Sequence, residues 1–196
     1  MIVSNIGINV PDWLLARVAE LPTHLPDTDE LMAVLNEFAA RNVAEGTGGP
    51  FAAAVVETAT GEVVSIGTNL VLSSNLSLAH AEIVALGLAQ TRLGLWDLSG
   101  DGVHRTLVVN AQPCAMCGGA VVWSGIHGLD FAATGADVEA LTGFDEGPVS
   151  SDWKEQLEAR GISVQVGRGS EEACKVLRDF GRQAQSGEAT LYNARS

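Results

Sequence analysis

The chain has 196 residues, 46% of them hydrophobic and 18% charged, which suits one compact domain and leaves too little for two. A formal charge of −13, from 24 acidic and 11 basic side chains, disfavours a nucleic-acid partner, because that affinity comes largely from Lys and Arg neutralising phosphates. No apolar run approaches the roughly 20 residues that cross a bilayer, and the start MIVSNIGINVPDW lacks the basic and apolar stretches of a secretion signal, so a soluble, cytoplasmic protein with no membrane partner is expected.

Residues 12–23 form a short helical candidate ending near Pro22, and a stronger one spans 28–44. Leu31, Val34, Leu35, Phe38 and Asn42 fall at helical spacing there, with Gly46 as a stop. The run Gly46-Thr47-Gly48-Gly49-Pro50 breaks the chain before a strand over 51–57, and the turn 58–61 joins it to a second strand over 62–69 as a hairpin. After a loop over 71–77, His80 opens a helical pattern that is apolar on several sides, as expected of a helix buried against a sheet. A strand over 106–111 leads to a helix begun by Pro113 and ending near Ser124-Gly125. The fourth strand covers 128–134, a short helix 136–141, and a loop Phe144-Asp145-Glu146-Gly147-Pro148. Ser151 is placed to cap a helix over 152–160 that stops at Gly161, followed by a fifth strand over 162–166, a helix over 171–185 and a polar tail from Gly187. This order predicts a mixed five-stranded sheet with helices on both faces, with a parallel crossover open to the fourth and fifth strands. One domain over 1–196 is expected, with 1–27 as an N-terminal extension.

Two segments carry chemistry: His80-Ala81-Glu82 and Pro113-Cys114-Ala115-Met116-Cys117, each opening a predicted helix. Cys114 and Cys117 are three apart, so their sulfurs share one helix face, and the positive end of the helix favours thiolates. Two thiolates and one imidazole form a three-donor set typical of catalytic zinc, in which water takes the fourth position; a structural site usually has four protein ligands. No fourth ligand is evident. Cys174 sits in a late helix without a partnered motif, and His24, His104 and His127 are isolated. Glu82, two residues from His80, is the natural proton shuttle. H-x-E joined to P-C-x-x-C is the mark of zinc deaminases, whereas either half alone is weak.

At these residues the chain resembles the cytidine-deaminase-like superfamily of zinc deaminases, and within it the bacterial guanine deaminases. The similar stretches are 48–55, 67–69, 79–83, 113–117 and 143–148, with the tail Leu191-Tyr192-Asn193-Ala194-Arg195. The resemblance implies a three-layer α/β/α sandwich, one zinc ion per chain, a homodimer, and a tail at 187–196 near the active site. It implies that Asn69 hydrogen-bonds the base, that Phe51 lines or stacks on its ring, and that Ala81 and Trp123 border it. Glu146 is the specificity candidate, since a carboxylate accepts from both the ring NH and the exocyclic amine of guanine; Asp145 is an alternative that spacing does not separate. The implied reaction is guanine to xanthine and ammonia. Its rivals are another small aminated ring (an s-triazine such as ammeline, cytosine or a nucleoside), a tRNA adenosine, or a non-catalytic zinc-stabilised protein.

Overall fold

Adjacent residues along the central strands bury themselves in opposite cores, the period-two signature of a sheet covered on both faces. In β1 (Ala52–Glu57), Ala52 and Ala54 join the core under α2 (Thr28–Ala44) and α8 (Ser170–Ser186), together with Phe38, Leu177 and Phe180. Ala53 and Val55 join the opposite core, with Ala85 and Leu86 of α4 (Ala81–Leu93) and Val121 of α5 (Ala115–Ser124). The structure, a computed structural model, describes residue 2 and residues 4–194.

The remaining elements are α1 (Asp12–Val18), β2 (Val63–Thr68), α3 (Val71–Ser74), β3 (Arg105–Ala111), β4 (Gly128–Ala133), α6 (Gly135–Thr142), α7 (Trp153–Glu158) and β5 (Ser163–Val166). The sheet order is β2-β1-β3-β4-β5. β1 runs antiparallel to both β2 and β3, in the register Ala53↔Gly67 and Ala53↔Val109. β3, β4 and β5 run parallel, with Thr106↔Gly128 and Gly128↔Ser163. The predicted three-layer sandwich with a mixed five-stranded sheet and a parallel fourth-to-fifth crossover is thus the observed fold. No helix among the described residues is long and apolar enough to cross a membrane.

This topology gathers four chain ends at one end of the sheet. The end of β2 (Asn69), the start of β1 (Phe51), the exit of β3 (Gln112) and the exit of β4 (Thr134) all meet there, beside the first residues of α4 and α5. Close packing fixes where α4 begins: a Cβ added at Gly67 of β2 would lie 2.6 Å from the Ala85 nitrogen and 2.8 Å from the Ala81 oxygen, so the helix backbone rests directly on the strand. At the far end, Arg105 is 1% exposed and donates to the Leu98 carbonyl and the Asp101 carboxylate.

Several boundaries depart from the sequence reading. His80 and Cys114 are extended N-cap residues, so α4 and α5 begin one residue after them. Residues 71–74, read as loop, make one helical turn, because Ser74 donates to the Leu70 carbonyl and satisfies the chain locally. Ser151 does not cap α7; the N-cap is Asp152, whose carboxylate is taken by Ser150 and Gln156. α6 carries a capping box between Thr134 and Asp137 that the sequence reading did not use.

Candidate active site

The His80 Nδ1 lies 3.5 Å from the Cys114 Sγ and 3.6 Å from the Cys117 Sγ. Zinc–sulfur and zinc–nitrogen bonds of ordinary length at a tetrahedral angle place N and S about 3.6 Å apart, so the spacing matches two edges of a zinc tetrahedron. The three donor atoms lie within 4.8 Å of one another, and among the described residues they form the one cluster of His, Cys, Asp or Glu able to hold an ion. The donor set of one imidazole and two thiols suits zinc. Cys174, His24, His104 and His127 stand apart: Cys174 is a free, half-buried thiol, His24 meets Thr23, and His104 and His127 stack on each other at 3.9 Å.

A cavity of about 240 Å³ opens onto this cluster. Its walls include His80, Glu82, Cys114, Phe51, Asn69 and Glu146. Glu82 sits in the first turn of α4 at 6% exposure. Burial raises its pKa to about 7, with the Cys114 charge adding to the rise. Cys114 is drawn down to about 4, chiefly by its hydrogen bond with Cys117 and further by His80, against the cost of burial. Burial likewise lifts Glu146 to about 8, with Cys114 and Glu82 adding to it. Ionising these groups together is opposed in so buried a corner, and a divalent cation would relieve that opposition.

The two acids of the 143–148 loop differ. The Asp145 carboxylate accepts the Gly147 amide at 2.8 Å and the residue is exposed, whereas Glu146 is partly buried and faces Cys114 and Glu82 through space. The Glu146 carbonyl also accepts the Ala115 amide at 3.0 Å, tying this loop to the first residue of α5. Phe144 packs against Phe51, Phe180 and Tyr192, with ring centroids 5.5, 5.2 and 4.8 Å apart. The tail then crosses the mouth: Asn193 donates to the Gly143 carbonyl and accepts the Asp145 amide, while the Tyr192 hydroxyl donates to Asn69.

Of the residues singled out in the sequence, His80, Glu82, Cys114, Phe51, Asn69, Asp145 and Glu146 line one cavity. Trp123 does not. It is 82% exposed, and its place eight residues beyond Ala115 carries it about 12 Å along the helix axis, away from the cavity. Ala81 is fully buried beneath β2 and is not a lining residue. Arg195 lies outside the described residues. Sequence reasoning did not single out Gln112 and Ser77, which line the cavity, or Asn42, which holds its wall. Asn42 had a readable signal, a carboxamide within an apolar helical stripe.

A three-donor grip of two buried cysteines and a partly buried histidine on an α/β/α sandwich, facing a cavity with a carboxyl beside it, has the make-up of a catalytic metal centre rather than a structural one. The chain belongs to the family described as the cytidine and deoxycytidylate deaminase zinc-binding region, whose model matches residues 26–133. It is similar to the guanine deaminase of Bacillus subtilis, 35% identical over 124 residues that cover 63% of this chain and 75% of that protein. The solved structure of guanine deaminase from Nitrosomonas europaea is 43% identical, with a TM-score of 0.86, covering 93% of this chain and 99% of that one. A structure of NE0047 with 2,6-diaminopurine is 43% identical, with a TM-score of 0.87 and 98% of each chain covered.

Proposed function

We propose that this protein is a hydrolytic deaminase that converts free guanine to xanthine and ammonia, using one zinc ion per chain held by His80, Cys114 and Cys117. The observation that carries the reading is the grip with zinc-like edge lengths placed in the same cavity as the Glu82 carboxyl. Similarity over nearly the whole chain to the Nitrosomonas europaea enzyme supports guanine as the ring. The charge of −13 favours a small neutral substrate over tRNA.

A bound zinc ion supplies Lewis acidity that brings the pKa of a water down to about 7. The protein's own groups do the rest. Glu82, with a carboxyl raised to about 7, takes a proton from the attacking water and delivers it to the ring nitrogen beside the amine-bearing carbon. It then carries the second proton to the departing amine, so that water and guanine leave as xanthine and ammonia. Glu146, rather than Asp145, accepts from the ring NH and the exocyclic amine, since Asp145 is committed to the Gly147 amide. Asn69 hydrogen-bonds the base, and Phe51 packs on the ring. The resemblance also supports a homodimer in solution, for which the exposed Met116 and Trp123 of α5 offer apolar surface.

The test is ammonia release from guanine, ammeline, cytosine, cytidine and adenosine-bearing tRNA, each with and without a chelator. Guanine is expected to lead the panel and chelation to abolish release. A guanine signal that is absent, or that survives complete metal removal, overturns the reading.

A further inference from the structure

Asn69 follows β2 and is 1% exposed. Its Oδ1 accepts from three donors: the Tyr192 hydroxyl at 2.7 Å, the Val71 amide at 3.2 Å and the Gly49 amide at 3.3 Å. Two of these are main-chain N–H groups that can only donate, so the carboxamide has one possible orientation. The three bonds fall on Oδ1, which leaves Nδ2 as the donor that the carboxamide can offer to the cavity Asn69 lines.

The main chain of Asn69 is held as firmly as its side chain. Its nitrogen donates to the Phe51 carbonyl at 3.0 Å, and its carbonyl accepts the Asn42 Nδ2 at 2.7 Å. The same Nδ2 donates to the Gly49 carbonyl at 2.9 Å, while the Asn42 Oδ1 accepts the Thr47 hydroxyl at 2.6 Å. Asn42 is fully buried on α2, so it ties the glycine loop and the end of β2 to one rigid helix. The packing leaves no slack for side chains in that loop. A Cβ at Gly48 would meet the Asn69 carbonyl oxygen at 1.9 Å, and one at Gly49 would meet the Tyr192 hydroxyl at 2.5 Å.

We infer that Asn42 and Tyr192 are positioning residues acting through Asn69: they hold its carboxamide with the oxygen saturated, so that the cavity offers the ring an N–H donor and selects an edge bearing a carbonyl oxygen. This rests on the reading of the cavity as a base pocket. A ring with an amine at that place would set donor against donor and leave both unpaired in a buried site, which is how a pocket rejects a near-isostere. The two residues act differently. Asn42 sets where the carboxamide stands. Tyr192 supplies the shortest of the three bonds to its oxygen and comes from the tail, whose next residue is bonded to Gly143 and Asp145 in the loop that carries Glu146. Seating the tail therefore completes the saturation of the Asn69 oxygen, whose orientation the two main-chain amides set, and braces the Glu146 loop at the same time.

The experiment measures dissociation constants of two rings by calorimetry on zinc-loaded protein, with Glu82→Gln as the common background so that neither ring turns over. 8-Azaguanine carries a carbonyl, and 2,6-diaminopurine an amine, at the corresponding ring position. Tyr192→Phe is expected to weaken 8-azaguanine by about tenfold, the worth of one good buried hydrogen bond, while 2,6-diaminopurine changes by less than about threefold. Asn42→Ser is expected to narrow the ratio in the same direction. Equal losses for both rings in Tyr192→Phe, the result of a tail that only covers the site, overturn the inference; if Asn42→Ser does not fold, Tyr192→Phe alone decides. Wild-type protein that binds both rings but releases no ammonia from guanine overturns the activity reading alone, and the ratio still tests this one. Failure of 8-azaguanine to bind the wild type overturns both, whereas exclusion of 2,6-diaminopurine alone is the proposed selection carried to its limit and supports it.

Discussion

The three-donor corner and the wall proposed to read the base share one cavity but are built in opposite ways. The corner comes from two short motifs at the first residues of α4 and α5, set directly on the sheet by contacts such as that beneath Gly67. The wall is gathered from the loop after α6, the end of β2 and the tail, with Tyr192 lying 123 residues from Asn69. Groups that handle protons and a cation must keep fixed distances, and rigid helix starts provide them. Groups that recognise a ring sit on segments able to differ between relatives without disturbing the sheet.

That contrast predicts separable failures. The largest belongs to Cys114→Ala, which removes one of the three donors: bound zinc, measured by elemental analysis, and turnover are both expected to fall below detection. Glu82→Gln should lower kcat by about 10³-fold with zinc content unchanged, because only the proton carrier is lost. A variant retaining wild-type kcat would break the division of labour between ion and carboxyl. Glu146→Gln strikes the wall instead, and kcat/KM for guanine is expected to drop by about tenfold to a hundredfold with zinc retained, as one of the two acceptor oxygens becomes an amide donor facing the donors of the ring. Loss of metal in that variant would show that the wall and the corner are not separable.

Asp101→Asn is the smallest and touches neither region. The hydrogen bond from Arg105 holds the Asp101 carboxyl below its ordinary range, so its stabilising effect is present above the unfolded pKa near 4 and is lost as pH falls through the folded value. Tm of the variant should lie at most a few degrees under wild type at pH 7, because Asp101 itself is exposed and the buried Arg105 guanidinium keeps the Leu98 carbonyl and Glu57, and the gap should close as pH drops below about 4, with zinc content and guanine turnover unchanged at neutral pH.

The same contrast explains what the sequence made legible. The strands of the hairpin, the burial of α4 and the two ligand motifs are local patterns, with spacing that reports a face or a turn. Trp123 was misread because α5 is apolar nearly all round, so its periodicity does not say which side meets the cavity. The Asn69–Tyr192 bond has no local pattern, since it depends on where the tail returns; only resemblance brought the tail to the site. Ser151 met the composition rule for a cap, yet Asp152 holds the position without a side-chain capping bond, its carboxylate accepting from the Ser150 and Gln156 side chains instead. Asn42 was placed on the right helix face and taken for core, although a buried carboxamide demands partners, here the carbonyls of Gly49 and Asn69.

His80 and the two cysteines stand on opposite sides of β3 in the chain, so the three-donor grip exists only after that strand has found its place between β1 and β4. An ion held there is consequently a ligand of the folded form, apart from whatever the cysteine pair retains when unfolded. Free zinc at a hundred times its dissociation constant would deepen the folded basin by about 2.7 kcal/mol, which makes the melting curve of this protein a gauge of metal supply as well as of packing.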